Sequence, residues 1–277
     1  MPAVQLARLK AEIQDLSWQF ANPAEYSQGL RELLERYADR VYRPSETQPR
    51  LKRVQGFRVP ALVLNQIELE LERLSRENPG ASLLLAEALW KQPYAESHLL
   101  AAFLLGRAPL SPPEAVLERL RAWCQAGEDA QLTAEVLKQG SARLRREQPE
   151  LWLQFAREWL VAPQLAYQKL GLRALLPAIA DREFENLPPI YPLITPFLKG
   201  NPAAIQGELH EVLQALARRS PNETVFFLRQ LLNLGLPANS LRLIRRLLPA
   251  FSREYQASLR SLLLAAGSPP TENSHTG

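Results

Sequence analysis

The sequence predicts an all-α protein, a HEAT-like helical-repeat solenoid (an α-α superhelix) of about 12–14 helices. In the helix that follows Pro60, Leu64, Ile67, Leu71 and Leu74 recur at steps of three and four and therefore share one face. No stretch alternates β-branched and polar residues between turn dipeptides, so strand signals are scarce. Most of the 23 prolines stand where a helix begins, a position at which the missing N–H costs nothing.

The helices can be assigned in order along the chain. The segment 54–106 contains one complete cycle of a long helix, a Pro-Gly break, a second helix, a proline corner and a third helix. Helix pairs recur every ~35–45 residues, the period of HEAT-type repeats. Residues 1–266 are therefore predicted to form one solenoid, and 267–277, which bring nothing to bury, a disordered tail. The other predicted helices lie near 3–20, 24–40, 112–126, 129–147, 149–161, 164–180, 189–199, 203–219, 222–234, 238–250 and 253–265.

Cysteine content, hydropathy and charge narrow the class of protein. Cys124 is the single cysteine, so there is no disulfide framework and no CxxC metal motif; we expect a reducing, cytoplasmic location and neither a metal nor a cofactor. The N-terminus does not have the pattern of a signal peptide, and no apolar run approaches the ~20 residues that a bilayer requires, so no membrane partner is expected. The net charge of +4 and the pI near 9.3 permit an anionic partner without naming one.

Four segments give the sequence a family resemblance: GFRVPALVLNQI, ALWKQPYAESHLLAAFLLG, REQPELWLQFAREWLVAPQLAYQKLGLRAL and IQGELHEVLQALARRSP. The pattern spans roughly residues 20–235 and is most specific at Gly56, Pro60, Trp90, Glu96 and Pro149-Glu150. It resembles the HEAT-like DNA alkylation-repair glycosylases. The resemblance implies a concave, cationic groove that holds DNA and from which alkylated bases are released without being flipped into a pocket. It also implies a catalytic carboxylate in a Trp-Asp-x-x-Asp motif on the helix before the Pro-Glu corner.

The sequence departs from that family pattern at the positions that carry the chemistry. An ungapped count back from the Pro-Glu corner places Ala130 at the tryptophan position and Ala134 at the position of the catalytic aspartate. The resemblance also implies further tryptophan and arginine residues from the next two repeats. The arginine position after the corner falls on Lys169, and the later tryptophan and arginine positions fall on Glu211 and Gln214. We therefore expect the scaffold of the family without its glycosylase chemistry.

One carboxylate lies close enough along the chain to replace the missing aspartate. A gap in the alignment brings Asp129 to the carboxylate position. Asp129 also stands at a predicted helix start, where an acidic side chain accepts hydrogen bonds from free N–H groups. The capping role is the expected one, and Asp129 is the sole catalytic candidate.

The remaining candidate site residues are basic. Lys169 and Arg173 are four residues apart and share a helix face. Cations at a helix C-terminus offset its partial negative charge by about 0.3–1 kcal/mol, which explains clusters such as Arg143, Arg145 and Arg146. The alternative is that such clusters line the concave edge of the solenoid and contact phosphates. The nucleic-acid-binding candidates are Lys169, Arg173, Arg218, Arg219, Arg242, Arg245 and Arg246, with Arg50, Lys52 and Arg53 from the basic loop 42–58. The alternative for this loop is a solvated linker.

Histidines and aromatic residues favour structural roles. His98 lies in an apolar helix and is expected to be a packing residue, and His210 is expected at the surface. Trp152, Phe155 and Trp159 step by three and four along one helix, a pattern typical of a core stripe and less often of a stacking platform for bases.

Three functional hypotheses remain from the sequence. The first is a DNA-binding helical-repeat protein without glycosylase activity, whose partner is double-stranded DNA. The second is a protein-interaction scaffold, a common use of helical solenoids, whose partner is another protein. The third is a divergent but active glycosylase that acts on alkylated purines in DNA through a displaced carboxylate.

Overall fold

The structure, a computed structural model, describes residues 5–38, 55–125, 129–200 and 202–267. Within these ranges the chain forms 15 α-helices and no strand, which confirms the predicted all-α helical-repeat class. The basic candidates Arg50, Lys52 and Arg53 lie outside the described residues, as does the predicted tail apart from Gly267, which ends the last helix. None of the described helices has both the length and the hydropathy needed to cross a bilayer.

Contacts divide the chain into two compact units, Met1–Trp152 (unit 1) and Leu153–Gly277 (unit 2). The helices that begin in unit 1 are α1 Leu6–Ser17, α2 Pro23–Tyr37, α3 Ala61–Glu77, α4 Pro79–Trp90, α5 Ala95–Leu105, α6 Glu114–Trp123, α7 Ala130–Glu135, α8 Ala142–Glu147 and α9 Pro149–Leu160. Those of unit 2 are α10 Leu165–Ala180, α11 Ile190–Lys199, α12 Gln206–Arg219, α13 Pro221–Asn233, α14 Ala238–Leu247 and α15 Arg253–Gly267.

Alternate helices pack against each other within each unit, as expected for stacked repeats. In unit 1, α1 contacts α3 and α3 contacts α5, while α2 contacts α4. In unit 2, α10 contacts α12 and α12 contacts α14, while α13 contacts α15. The face that α3 buries consists of Val63, Ile67, Leu71 and Leu74, so the predicted stripe is present with Val63 in place of the partly exposed Leu64. α3 thus buries one face against its neighbours and leaves the other to polar residues, whereas α5 is buried over most of its circumference.

The entry to α3 explains several of the residues that carry the family resemblance. The buried carboxylate of Glu96 accepts hydrogen bonds from the backbone amides of Phe57 (3.1 Å) and Arg58 (2.7 Å). Arg58 adopts a φ of 57°, and a Cβ added at Gly56 would lie 3.3 Å from a Glu96 oxygen. Gly56 and Glu96 therefore hold the chain in the turn that leads to Pro60 and α3.

Four tryptophans stack on another aromatic ring or are buried. The ring of Trp90 stacks on Trp123 with centroids 4.4 Å apart, and the Nε2 atom of His98 lies 2.9 Å from the Trp90 carbonyl oxygen. His98 is thus the packing residue that the sequence predicts. The stripe of Trp152, Phe155 and Trp159 is buried, which confirms its core role.

The predicted helix 129–147 is two helices, α7 and α8, joined by a π-helical turn at Val136–Gly140. The turn passes close to the end of α5, because a Cβ added at Gly106 would lie 1.8 Å from the carbonyl oxygen of Gln139. Arg145 is only 6% exposed, and its Nη1 donates to the carbonyls of Leu137 (3.2 Å) and Lys138 (2.9 Å). A π turn breaks the regular i→i−4 pattern of the α-helix. Arg145 supplies a donor there and is not the exposed helix-end cation that the sequence suggests.

Candidate nucleic-acid interface

Three helices of unit 2 carry the basic candidates that the structure describes. They are α10, α12 and α14, of which neighbours are in contact. α14 is the most sharply two-sided, because Leu241, Leu243, Ile244 and Leu247 are buried while its arginines lie on the opposite face. The apolar residues recur at steps that bury one side of the helix, so the same sequence pattern exposes the cations.

The three α14 arginines, Arg242, Arg245 and Arg246, form an exposed stripe, which we call the α14 stripe. Steps of three and four place all three on one face. None of them has an ion-pair or hydrogen-bond partner among the residues that the structure describes. Their charge is therefore fully available to an anion in solution.

The end of α14 lies closer to the stripe than the sequence suggests. Because Leu247, Leu248 and Pro249 follow it, the sequence suggests that its arginines do not belong to a helix end. α14 ends at Leu247, so Arg245 and Arg246 lie in its last turn, whereas Arg242 does not. A favourable interaction with the helix dipole therefore applies to two of the three, at about 0.3–1 kcal/mol each. It leaves their solvent exposure unchanged.

Lys169 and Arg173 of α10 share a single carboxylate on α12. The Nζ of Lys169 lies 3.7 Å, and the Nη2 of Arg173 3.2 Å, from Oε1 of Glu208. The prediction that the two cations share a face is confirmed, because both reach the same oxygen. Their combined charge is reduced by the anion between them.

The last two candidates, Arg218 and Arg219, end α12 and are exposed. Nη2 of Arg219 donates to the backbone carbonyl of Arg182 at 3.1 Å, so it ties the helix end to the loop after α10. The helix-end explanation accounts for this pair better than it accounts for the α14 stripe.

His210 connects the electrostatics of α12 and α14. Burial and, next, the positive charge of Arg246 lower the pKa of His210, while Glu211 acts in the opposite direction. The side chain therefore lies within the field of the α14 stripe and reports on the charge there.

In unit 1, the structure places Asp129 at the N-cap of α7. Its Oδ1 accepts from the backbone amides of Gln131 (2.9 Å) and Leu132 (3.2 Å), which is the cap that the sequence predicts. Ala130 and Ala134, the positions that the resemblance assigns to the tryptophan and the catalytic aspartate, are exposed residues of the same helix.

A cluster of charged residues in unit 1 was not predicted from the sequence. Burial raises the pKa of Glu68 on α3; the charge of Glu135 on α7 acts in the same direction, and Arg107 and Lys138 act against it. Lys138 Nζ lies 3.8 Å from Glu135. Glu135 directly follows Ala134, so a carboxylate is present one residue from the position that the resemblance makes catalytic.

Most exposed arginines of unit 1 that we describe are matched by carboxylates. Arg31 pairs with Glu35 at 2.8 Å. Arg73 pairs with Glu70 at 2.6 Å and with Glu77 at 2.5 Å. The exposed Arg8, Arg36 and Arg76 also form ion pairs, as do the half-buried Arg107, Arg119 and Arg143. The α14 stripe of unit 2 differs from these residues in that its cations are unmatched within the described ranges.

Glu208 is a charged residue of this surface that sequence reasoning missed, and a signal for it exists. The pair Arg173–Glu208 is separated by 35 residues, as is Arg107–Glu72, while Arg119–Glu87 is separated by 32. These separations match one repeat period, because equivalent positions of adjacent repeats lie side by side. A search for opposite charges one period apart finds all three pairs.

The fold and this surface define the class of protein: an all-α repeat protein with an exposed cationic stripe on one helix. The chain belongs to the DNA alkylation repair enzyme family, whose sequence model matches residues 53–255. The resemblance noted above is thereby confirmed for most of the chain. Comparisons with curated proteins and with solved structures gave no match.

Proposed function

We propose that this protein binds the phosphate backbone of double-stranded DNA and that the α14 stripe makes the main contact. The observation that carries the proposal is that Arg242, Arg245 and Arg246 are exposed on one helix face and lack an ion-pair partner within the described residues. Arginine presents a planar fork of donors that matches phosphate oxygens. Membership of a DNA-repair family supports a nucleic acid as the anion.

The contact we propose is led by charge and independent of base sequence. Phosphate contacts release counterions, so the logarithm of the affinity falls with the logarithm of salt concentration by about 0.9 for each phosphate neutralised. Three arginines therefore account for a slope of about 2.7 and for several hundredfold of affinity at ~0.1 M salt. The expected behaviour is tight binding at low salt that weakens steeply as salt rises.

The test compares wild type with Arg242→Gln/Arg245→Gln/Arg246→Gln, using fluorescence anisotropy of a labelled duplex of arbitrary sequence between ~50 and ~200 mM salt. The variant is expected to lose about 2.7 units of salt slope and several hundredfold of affinity. A second variant with lysine at all three positions keeps the charge and should retain most of the slope. Wild-type affinity that is independent of salt, or glutamine and wild-type proteins that bind equally, would refute the proposal.

A matched control comes from unit 1. Arg31→Gln/Arg73→Gln/Arg76→Gln removes the same charge from exposed helical arginines that already have carboxylate partners. It is expected to change duplex affinity by less than about threefold, because surface ion pairs of this kind contribute only about 0.3–0.5 kcal/mol and their loss leaves the fold intact. If wild type fails to bind duplex but retains a protein partner after nuclease treatment, the scaffold hypothesis takes the place of this one.

Glycosylase activity on alkylated purines is a second candidate, favoured by the cluster around Glu68 and Glu135. A glycosylase needs a carboxylate that stabilises the positive charge developing on the sugar as a cationic base departs. Glu135 on α7 is half-buried and close to the position where the family resemblance implies such a group.

Release of 3-methyladenine or 7-methylguanine from alkylated duplex DNA tests this candidate directly. If Glu135 is catalytic, Glu135→Gln abolishes release, while Asp129→Asn at the N-cap of α7 preserves most of it. The opposite ranking would make Asp129 the catalytic carboxylate. Inactive wild-type protein under conditions where it binds duplex would leave DNA binding as the whole function.

A further inference from the structure

Glu208 occupies a distinctive place beside the cations of α10. It lies in the first turn of α12, where the helix N-terminus favours a negative charge. Its side chain is 12% exposed, while those of Lys169 and Arg173 are 36% and 30% exposed. The carboxylate is thus deeper than the two cations, which have their inner sides on Glu208 and their outer sides in solvent.

The charge balance of this trio differs from that of the α14 stripe. One carboxylate faces two cations, so the trio carries a net charge of +1. The three arginines of the α14 stripe carry +3, because no carboxylate among the described residues pairs with them. A phosphate that approaches Lys169 or Arg173 has to compete with an anion already in place. Partial burial strengthens that competition, because the ion pairs are less screened by salt than exposed pairs are.

We propose that Glu208 is an affinity-limiting residue, an internal carboxylate that competes with DNA phosphates for Lys169 and Arg173. This inference rests on the proposed DNA binding and adds a residue that opposes it. The partner class is a polyanion with regularly spaced phosphodiesters, and the role of Glu208 is to keep the α10 cations as a weak contact beside the strong α14 stripe. A carboxylate that lowers non-specific affinity suits a protein that must release undamaged duplex, because this affinity is set mainly by the number of phosphates neutralised.

The decisive variant is Glu208→Gln, which removes the charge and keeps the size and hydrogen-bonding capacity of the side chain. Freed of their competitor, Lys169 and Arg173 gain about one phosphate contact. Duplex affinity is expected to rise about eightfold at ~0.1 M salt, and the salt slope to increase by about 0.9. Unchanged or weaker binding by Glu208→Gln overturns the inference.

Glu211→Gln is the matched control, because it makes the same change of charge on the same helix. Glu211 is exposed and forms no ion pair with any residue that the structure describes. A purely global charge effect raises the affinity of both variants equally and contradicts the proposal. A gain confined to Glu208→Gln supports it.

A double-substituted background tests whether Glu208 acts through the two cations. In Lys169→Gln/Arg173→Gln, the further change Glu208→Gln is expected to alter duplex affinity by less than about twofold. An undiminished eightfold gain in this background refutes competition for these cations.

Folding of each variant is checked by its thermal unfolding midpoint, and a second measurement covers the case in which Glu208→Gln does not fold. Lys169→Gln/Arg173→Gln removes two cations that Glu208 partly neutralises. Arg242→Gln/Arg245→Gln removes two cations that have no carboxylate partner among the described residues. The α10 double variant is expected to lower the salt slope by less than about 1, against about 1.8 for the α14 double variant. Equal losses refute the inference.

The two proposals fail differently. Wild-type protein without salt-dependent duplex binding refutes the proposed function and, with it, the role of Glu208. Wild-type protein that binds through the α14 stripe and gains nothing from Glu208→Gln refutes the role of Glu208 alone.

Discussion

Two arginine-rich helix ends, one in each unit, look alike in sequence and have opposite environments. In unit 1, the run ARLRRE of α8 places Arg145 in the interior, where it donates to the carbonyls of Leu137 and Lys138. In unit 2, the run LRLIRRL of α14 leaves Arg242, Arg245 and Arg246 exposed, with no ion-pair partner in the ranges that the structure describes. The first run is part of the fold, and the second is available for binding.

The difference arises from what the neighbouring backbone requires. The π turn before α8 presents carbonyls that accept from a side chain, and buried carbonyls without a donor are costly. α14 follows Pro237 without a π turn, so it does not present carbonyls of this kind that would accept hydrogen bonds from its arginines. Arginine clusters therefore indicate an anion-binding surface only where the adjacent helix leaves no backbone acceptor for them.

The largest expected effect is on the stability of unit 1. Arg145→Met preserves the length and much of the volume of the side chain but removes the donor to Leu137 and Lys138. The Leu137 carbonyl keeps the Ser141 hydroxyl as a donor, whereas the Lys138 carbonyl loses its side-chain donor, at a cost of about 1–3 kcal/mol. The lost bond from the charged Arg145 to Ser141 adds about 1.5 kcal/mol. The free energy of unfolding should therefore fall by about 2.5–4.5 kcal/mol. The measurement is urea denaturation followed by far-ultraviolet circular dichroism.

Arg245→Met in unit 2 is the matched variant for that comparison. It changes an exposed side chain and should alter the free energy of unfolding by no more than about 0.5 kcal/mol. Similar losses in the two variants would show that the environments of the two runs do not differ as the structure describes.

A smaller effect is expected at the glycine that faces the π turn. A Cβ at position 106 would meet the backbone oxygen of Gln139 at 1.8 Å, and a backbone atom cannot move aside as the end of a flexible side chain does. Gly106→Ala should therefore destabilise the protein by about 1–3 kcal/mol, the usual cost of overpacking. Gly207 of α12 has open space within 4 Å, so Gly207→Ala should stabilise by about 0.5–1 kcal/mol. Denaturation of the two variants side by side gives opposite signs if unit 1 depends on this close approach.

Single charges give the next effect, on binding rather than stability. Arg242→Gln should lower duplex affinity about eightfold at ~0.1 M salt, the value of one phosphate contact. Arg143→Gln of the α8 run removes a cation that pairs with Glu147 at 2.7 Å, and it should change affinity by less than about twofold. Anisotropy titrations decide the comparison, and an equal loss in both variants would place phosphate contacts on both runs.

The smallest effect concerns His210, whose pKa is lowered first by burial and then by the charge of Arg246. Proton-detected titration of the imidazole should give a pKa below 6.5 in wild type and a higher value in Arg246→Gln. Arg229→Gln, on α13, is the control, because Arg229 is hydrogen-bonded to Ser258 and is not among the groups that shift the pKa of His210. A pKa that is unchanged in Arg246→Gln would separate His210 from the α14 stripe.

The same shift has a consequence for stability with a definite sign. The unfolded chain binds a proton at His210 more readily than the folded chain, because the folded pKa is the lower of the two. The contribution of His210 is therefore fully present above pH ~6.5 and is lost as the pH falls from there through the folded pKa. Denaturation of wild type and His210→Gln across this window should show a weaker loss of stability with falling pH in the variant.

Helix positions were largely predictable from the sequence, because local rules decide them. The predicted helices 164–180 and 189–199 correspond to Leu165–Ala180 and Ile190–Lys199, and prolines or extended residues precede both. The stripe of Trp152, Phe155 and Trp159 was likewise identified as core from its spacing alone. The segment 129–147 was the exception, since periodicity does not distinguish a continuous helix from one that contains a π turn.

The candidate site was predictable only in part. Sequence spacing placed Lys169 beside Arg173 and predicted the cap made by Asp129, because both are interactions within one or two turns. It did not identify Glu208 or the influence of Glu135 on the pKa of Glu68, because the interacting residues come from helices one repeat or more apart.

The amino-acid sequence by itself determined the all-α class, the bounds of most helices, the apolar face of each and the membership of a DNA alkylation repair family. Periodicity, proline positions and capping act over a few residues, so they can be read from a linear string. Tertiary structure alone decided which arginines are buried, which are neutralised and which are open. Charge interactions depend on distance in space and on burial, and for Arg145, Arg173 and Arg242 both follow from how the elements pack.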